Sequence, residues 1–461
     1  MTGTTLRQKA YFGYHRLIGS SLGNVYHEML QEDRAGVPPE RTRQLLARML
    51  AHCKSVPYYA RLMDQIGEPS QEDPAEYLRQ LPILTKSIIR QHSAELRSID
   101  LPQRKWDYNT SGGSTGEPIR IIQDREFWDR VYALQLLWFG WAGRDVCEPT
   151  VWVWGSERDI VRGTASLKSR LGNWLTRTTY FNAFRMTPQQ MRAFIAQLNA
   201  QPPRLIVAYA QAIYELARFV EAEGIRVAPQ VAIHTSAGTL YPFMREKITS
   251  VFRCPVYNRY GSREAGDIAC ECEAHYGLHV APWCSYVEVV DDAGRPAPRG
   301  GEGRILVTSL VNYAMPLIRY DIGDRGVLSP EEQCPCGRRG QILERVTGRT
   351  VDTFRRRDGT LVDGEYFTHL LYFRDWVWKF RVIQKDYTSI VFQIVKAGEP
   401  QPEELAEIER ETKRVFASDC AVTFEFVPDI APCASGKYRY TLCEIQDQRT
   451  MPPRQETWSK H

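Results

Sequence analysis

The sequence predicts an α/β protein with a large layered domain, a β-rich part after it and a small α+β unit at the C-terminus. Between residues 119 and 236, short apolar strands alternate with amphipathic helices, which is typical of a layered α/β domain. From Val287 onward, strands separated by turn residues predict an antiparallel β subdomain. Beyond about residue 350, two strands, a helix and a further strand predict a small α+β unit. A chain of 461 residues is long enough for two or three domains.

The first hundred residues are predicted to be mostly helical. Apolar residues from Leu45 to Cys53 recur at helical spacing. This helix should be broken near Pro57, because the residue before a proline is pushed out of the helical region. A further helix should follow, with Thr85 or Ser87 as its N-cap.

Hydrophobic periodicity predicts the helices and strands of the layered part and of the C-terminal unit. Helices are predicted over Arg125–Trp141 and over 210–223, the latter ending near Gly224, a residue suited to a helix C-cap. The predicted strands are 151–154, 205–209 and 231–236, then segments that begin near 286 and 303. In the C-terminal unit, strands are predicted at 380–384, 389–395 and 422–426, with a helix at 403–416.

Composition excludes several classes of function. The net charge of +4 is too small to predict nucleic-acid binding. No apolar run approaches the roughly 18 residues that a membrane span needs, and the N-terminus lacks the apolar core of a signal peptide. Eleven cysteines without a secretory signal predict metal ligands or buried thiols rather than a disulfide scaffold. We therefore expect a cytoplasmic protein with no membrane and no nucleic-acid partner.

The segment from Thr110 to Pro118 has the composition of an anion-binding loop. It holds three glycines and four hydroxyl residues within nine positions. Glycine lets the backbone approach a ligand closely, and successive N–H groups in such a loop can surround a phosphate. The spacing is not that of a Walker A loop, since no Gly-Lys-Ser/Thr follows. A flexible Gly/Ser linker is the competing interpretation.

Four further segments occur in a definite order after this loop. They are 260–264 (Tyr-Gly-Ser-Arg-Glu), 319–324 (Arg-Tyr-Asp-Ile-Gly-Asp), 347–352 (Thr-Gly-Arg-Thr-Val-Asp) and 435–437 (Ser-Gly-Lys). Together they resemble the adenylate-forming superfamily, and in particular the CapK-like branch of the phenylacetate-CoA ligase group. The resemblance implies a large N-terminal adenylation domain at residues 1–348 and a small mobile α+β lid domain at residues 349–461.

The resemblance also implies a role for each matched residue. An enzyme of this superfamily joins a carboxylate to the α-phosphate of ATP and releases pyrophosphate. Lys437, Glu264 and Arg349 would be catalytic, with Glu264 also holding Mg²⁺, which prefers oxygen ligands. ATP would be bound by the residues Ser111, Gly112, Gly113, Ser114, Thr115, Gly116, Ala237, Gly238, Tyr260, Gly261 and Asp324.

Each of these residues also has an ordinary structural explanation. An isolated Lys437 would most often be a solvated lysine, and Glu264 could be a charge at a helix N-terminus. Tyr260 could be a core residue. Asp324 could be a turn residue, and Asp321 competes with it for the ribose of ATP.

Cysteines and histidines cluster in two short segments that suit zinc. Four Cys or His ligands favour a closed tetrahedral site, which would be structural rather than catalytic. The selected ligands are Cys272, His279, Cys334 and Cys336, and Cys270 and His275 are held in reserve. The alternative is reduced cysteines that pack as small apolar residues.

The acid is expected to bind among aromatic residues. Trp154, Tyr209 and Ser236 are assigned to the acyl substrate, and an aromatic lining suits a flat aromatic acid, although core packing explains the same residues. Glu117 replaces the lysine that many relatives carry, and Val351 stands where relatives carry a hinge aspartate. The altered hinge leaves the acceptor open between CoA and a small amine or hydroxyl compound.

Two other functions compete with acid ligation. The first is an adenylyltransferase similar to the synthetases that adenylylate a deazaflavin coenzyme, which would leave AMP on its substrate. The second is a non-enzymatic nucleotide-binding protein. In either case the resemblance implies a homodimer.

Overall fold

The computed structural model describes residues 3–67, 73–110, 119–154, 167–183, 186–349, 353–358, 361–372, 374, 376–416, 418–430 and 440–445. These residues form two compact units, one within residues 3–349 and one within residues 353–445. In the part of the chain that is described, no helix is long and apolar enough to cross a membrane.

The N-terminal hundred residues are helical, as the sequence predicts. The Thr85 side chain accepts a hydrogen bond from the Ile88 N–H and so caps the sixth helix, which identifies Thr85 as the cap in preference to Ser87. The six helices are α1 (Gly3–Leu17), α2 (Leu22–Ala35), α3 (Glu40–Cys53), α4 (Pro57–Ile66), α5 (Pro74–Gln80) and α6 (Lys86–Gln91).

The described residues of the layered part that follows form a hairpin, five helices and a parallel set of strands. The hairpin is β1 (Trp106–Thr110) and β2 (Arg120–Asp124), which leads into α7 (Arg125–Trp141). The next elements are β3 (Thr150–Trp154), α8 (Leu167–Thr176), β4 (Thr178–Asn182), α9 (Pro188–Ala200), β5 (Leu205–Tyr209), α10 (Ala210–Ala222), β6 (Ile233–Ser236) and α11 (Pro242–Phe252).

The antiparallel strands extend the same sheet and do not form a separate one. They are β7 (Val256–Ser262), β8 (Gly266–Glu271), β9 (Leu278–Val280), β10 (Ser285–Val290), β11 (Glu302–Ser309), β12 (Tyr320–Leu328) and β13 (Ile342–Arg349). The order of the 11-stranded sheet is β10-β11-β12-β13-β9-β8-β7-β6-β5-β3-β4. Strand β7 joins the two parts, since it pairs in parallel with β6 and antiparallel with β8.

Helices cover both faces of the parallel strands, because alternate residues of these buried strands are apolar on each side. Helices α9, α10 and α11 share one core with residues such as Val153, Ile206 and Ile233. The opposite face carries Val207 and packs against Phe139 of α7. The carboxyl ends of β3, β5 and β6 therefore lie side by side at one edge, the usual position of a ligand site in such sheets.

The second unit is the small α+β unit that the sequence predicts. Its helices are α12 (Glu365–Tyr372) and α13 (Pro402–Val415). Its strands are β14 (Thr353–Arg355), β15 (Leu361–Asp363), β16 (Val377–Asp386), β17 (Ser389–Lys396), β18 (Ala421–Phe426) and β19 (Thr441–Cys443), of which four form a sheet in the order β18-β17-β16-β19.

Candidate active site

The hairpin β1–β2 fixes the two ends of the glycine-rich segment beside Glu264. Asn109 donates to the Arg263 carbonyl at 3.1 Å. Gln123 donates to the carbonyls of Arg263 at 2.8 Å and of Glu264 at 3.1 Å. The Glu264 side chain is buried, at 6% exposure. The main chain at Glu264 therefore lies beside the hairpin that flanks the segment, and the buried Glu264 carboxylate could hold Mg²⁺.

Tyr260 and Asp324 are joined by a direct contact. The Tyr260 hydroxyl donates to the Asp324 carboxylate at 2.7 Å, and Tyr260 lies on β7 while Asp324 lies on β12. Asp321, the competing aspartate, instead accepts from Arg304 at 2.7 Å and from the Gly323 N–H at 3.0 Å. Asp324 is thus the aspartate in contact with Tyr260, whereas Asp321 pairs with Arg304.

Backbone geometry distinguishes the segment after β6 and the turn after β7. Ala237 has a φ of +55°, a left-handed conformation that is uncommon for a residue with a side chain and that clusters at ligand sites. Gly261 is required by space, since a Cβ atom there would lie 2.6 Å from the Gly266 carbonyl oxygen across the β7–β8 hairpin. Ala237 and Gly238 directly follow β6, and Gly261 lies near the carboxyl end of β7. At these positions they could approach a nucleotide.

The three residues assigned to the acid lie at the carboxyl ends of neighbouring parallel strands. The rings of Trp154 and Tyr209 have centroids 4.1 Å apart. Ser236, the last residue of β6, is the register partner of Tyr209. The fold thus brings together the two aromatic rings and the hydroxyl group that the sequence assigns to the acyl substrate.

Some predicted residues lie outside what the structure describes. Ser111 to Gly116 and Lys437 lie outside the described residues, and so does the side chain of Arg349. The Arg349 backbone ends β13 opposite Asp324. Their roles stay predictions.

Tyr320 is a contributor to the site that sequence reasoning did not select. Its hydroxyl donates to Glu264 at 3.3 Å, and the residue is fully buried. Burial, and then the nearby Glu264 charge, raise the pKa of Tyr320, so the hydroxyl stays protonated and able to donate. The signal was available, since Tyr320 lies in the same motif as Asp324.

Arg319 connects the segment before α6 to the strand that carries Tyr320 and Asp324. Its guanidinium donates to the carbonyls of Arg79 at 3.0 Å and Leu81 at 2.7 Å, and it pairs with Glu288 at 3.1 Å. The backbone of Leu84 adds hydrogen bonds on both sides of Tyr320. The N-terminal helices are therefore anchored to the start of β12, which carries Tyr320 and Asp324.

The four residues selected for zinc lie together. The ligand atoms of Cys272, His279, Cys334 and Cys336 are all within 4.8 Å of one another. The Cys272 and Cys334 sulfurs are 3.6 Å apart, and the Cys336 sulfur is 3.6 Å from His279 Nε2. A tetrahedral zinc with Zn–S bonds of about 2.3 Å requires sulfurs about 3.8 Å apart, so the set has the size and the chemistry of a zinc site.

The charge environment also suits a metal. Burial, assisted by Arg338, lowers the pKa of His279 to about 4, which leaves the imidazole neutral. Burial would raise the pKa of Cys336, but hydrogen bonds with Arg338, Cys334 and Cys272 together lower it. Burial raises the pKa of the Cys272 and Cys334 thiols. Arg338 is itself held by Asp33 at 2.9 Å and lies over the Trp141 ring. The cluster is thereby tied to α2 and α7.

The two reserve ligands lie apart from the cluster. Cys270 directs its thiol to the Glu271 carbonyl at 3.4 Å. His275 contacts the Glu271 carboxylate at 3.1 Å. Within the described residues, the group that could hold a metal contains neither of them.

The C-terminal residues match a known family model, and most of the chain is similar to two known proteins. Residues 354–444 match the family model of the CapK C-terminal domain. Protein CapK of Staphylococcus aureus is 23% identical over 397 residues, which cover 85% of this chain and 86% of the relative. The phenylacetate-coenzyme A ligase of Thermus thermophilus is 27% identical over 338 residues, which cover 70% of this chain and 74% of the relative.

Solved structures share the fold over most of the chain. 2-Hydroxyisobutyryl-CoA ligase in the postadenylation state with R3-HIB-AMP matches with a TM-score of 0.61 and 17% identity, covering 90% of this chain and 91% of the ligase. The same ligase in the thioesterification state, with 2-HIB-AMP and CoA, matches with a TM-score of 0.58 and 18% identity, covering 88% and 91%. The resemblance inferred from the sequence is thereby confirmed: residues 354–444 match the CapK C-terminal domain, the chain is similar to Protein CapK and to a phenylacetate-coenzyme A ligase, and it shares the fold of 2-hydroxyisobutyryl-CoA ligase.

Proposed function

We propose that the protein is an ATP-dependent, AMP-forming ligase of a small aromatic carboxylic acid. The observation that carries the proposal is the hydrogen bond of Tyr260 to Asp324, together with the buried Glu264 that Tyr320 contacts and the neighbouring rings of Trp154 and Tyr209. The relatives support the same chemistry, since they include a phenylacetate-CoA ligase.

In this proposal a carboxylate oxygen attacks the α-phosphorus of ATP. The bond from that phosphorus to the bridging oxygen breaks, and pyrophosphate leaves with the bonding electrons. Asp324 would accept the ribose hydroxyls while Tyr260 orients its carboxylate, and Tyr260 would also lie against adenine. Glu264, oriented by Tyr320, would hold Mg²⁺, which neutralises phosphate charge when bound. In this proposal the cationic side chains of Lys437 and Arg349 neutralise the negative charge that develops during the attack.

The acyl group would then pass to an acceptor. CoA is the acceptor that the relatives favour, and a small amine or hydroxyl compound is the competitor. In the second unit, Arg356 pairs with Asp358 at 3.2 Å, so at least one of the three consecutive arginines at 355–357 has an ordinary partner. We propose that residues 349–461 act as a lid domain and that Cys272, His279, Cys334 and Cys336 hold a structural zinc ion.

Acid-dependent release of pyrophosphate tests this function. The purified protein is incubated with ATP, Mg²⁺ and single aryl or alkyl acids, first without and then with CoA. We expect release with an aryl acid and AMP as the nucleotide product. A product that retains AMP covalently, seen by mass spectrometry, would instead support the adenylyltransferase.

A further inference from the structure

His234 is a buried polar residue that the proposed reaction has not used. It lies in the middle of β6 and has no solvent exposure. Among the residues that the structure describes, neither of its ring nitrogens has a hydrogen-bond partner. Buried polar groups are almost always paired, and each exception calls for an explanation.

The ring of His234 is neutral, so one ring nitrogen can donate a hydrogen bond and the other can accept one. Burial, and then the positive charge of Arg259, lower the pKa of His234 to about 3. A neutral imidazole carries one N–H donor and one bare nitrogen that accepts. A bound group that both donates and accepts, such as a hydroxyl, matches this pair.

The position of His234 connects it to the acid site. His234 and Ser236 point to the same face of β6, and two strand residues span about 6.6 Å. The His234 ring stacks on Tyr257 with centroids 5.2 Å apart and meets the edge of Phe139 at 5.4 Å. Phe139 also contacts Trp152, whose ring lies 5.4 Å from that of Trp154.

This face therefore has a polar residue at each end and aromatic rings along its length. Ser236 stands at the carboxyl end of β6, and His234 stands one step deeper along the same face. The separation of the two residues is similar to the length of a benzene ring with substituents at both ends.

We propose that His234 is a specificity-determining residue that hydrogen-bonds a hydroxyl group on the ring of the aromatic acid. The inference rests on the proposed acid ligase and narrows its substrate class from aromatic acids to hydroxyaryl acids. A phenolic hydroxyl can donate to one nitrogen of His234 or accept from the other. An acid without this group leaves the histidine unpaired, and this is the physical basis of discrimination.

The test compares acids that differ only by a ring hydroxyl. The ratio of kcat/KM for pyrophosphate release is measured with benzoate against the three monohydroxybenzoates, and with phenylacetate against 4-hydroxyphenylacetate. For the wild type we expect at least one hydroxylated acid to be preferred by about 10- to 100-fold. For His234→Phe the ratio should fall toward one, and for His234→Gln, which keeps a donor and an acceptor, part of the preference should remain.

The outcomes separate this inference from the function on which it rests. Wild-type release with unsubstituted acids and no preference for any hydroxylated one would overturn the role of His234 while leaving the ligase intact. The role of His234 is also overturned if His234→Phe keeps the full preference. The imidazole of the wild type would then be paired with an internal water molecule and not with the substrate. Absence of acid-dependent release from every acid would refute the ligase itself. A wild type without any such preference overturns the role of His234 even if a variant fails to fold.

Discussion

Replacing Asp324 by asparagine should weaken the use of ATP without disturbing the fold. The amide keeps an oxygen that can accept from the Tyr260 hydroxyl, which now lies 2.7 Å from the carboxylate. It loses the negative charge that would accept both ribose hydroxyls. Hydrogen bonds to charged groups contribute about 1.5–3 kcal/mol each, so the loss of about one of them lowers kcat/KM for ATP by roughly 10- to 150-fold.

Asp321→Asn is the matched control, since it makes the same chemical change three residues away. Asp321 pairs with Arg304 at 2.7 Å, so its substitution should lower the melting temperature. It should leave the KM for ATP close to that of the wild type. The assay is pyrophosphate release at varied ATP and saturating acid. The reasoning is refuted if Asp324→Asn retains the wild-type kcat/KM for ATP, or if Asp321→Asn lowers kcat/KM by more.

Three other perturbations follow from single contacts or clusters. Tyr320→Phe removes the hydroxyl that donates to Glu264, so the Mg²⁺ concentration for half-maximal activity should rise about fivefold; an unchanged Mg²⁺ titration contradicts this. Cys334→Ser should lower the zinc content measured by mass spectrometry and the melting temperature, whereas Cys270→Ser should keep the zinc; equal zinc in both variants contradicts the site. The pKa of His234 is about 3 when folded and about 6.5 when unfolded, so protons favour the unfolded chain and stability falls as the pH drops through this window. His234→Phe should therefore lose about 2 kcal/mol less than the wild type between pH 7 and pH 5 in urea unfolding, and identical pH dependence would contradict a buried neutral ring.

Elements with strong periodicity could be predicted from the sequence. The helix over Arg125–Trp141 and the strand over Leu205–Tyr209 have the predicted limits, because their apolar patterns are long or bounded by turn residues. Strand β4 was not predicted. Its sequence, Thr-Thr-Tyr-Phe-Asn, does not alternate, and it is the edge strand of the sheet.

The site divides in the same way. Cys272, His279, Cys334 and Cys336 could be selected because few residue types bind zinc and the four fall into two short segments. The contact of Tyr320 with Glu264 joins residues 56 positions apart. It depends on the order of β7 and β12 in the sheet, which local patterns do not determine. The sequence likewise does not indicate that His234 lacks hydrogen-bond partners, because the pattern around it predicts only an apolar strand.

ATP–pyrophosphate exchange in the presence of a panel of aryl acids is the most direct test of the account. The proposed ligase predicts exchange of labelled pyrophosphate into ATP that requires both Mg²⁺ and an acid, with AMP as the nucleotide released once an acceptor is added. Exchange that needs no acid, or turnover that yields ADP and phosphate, would contradict adenylate formation as the function of this site.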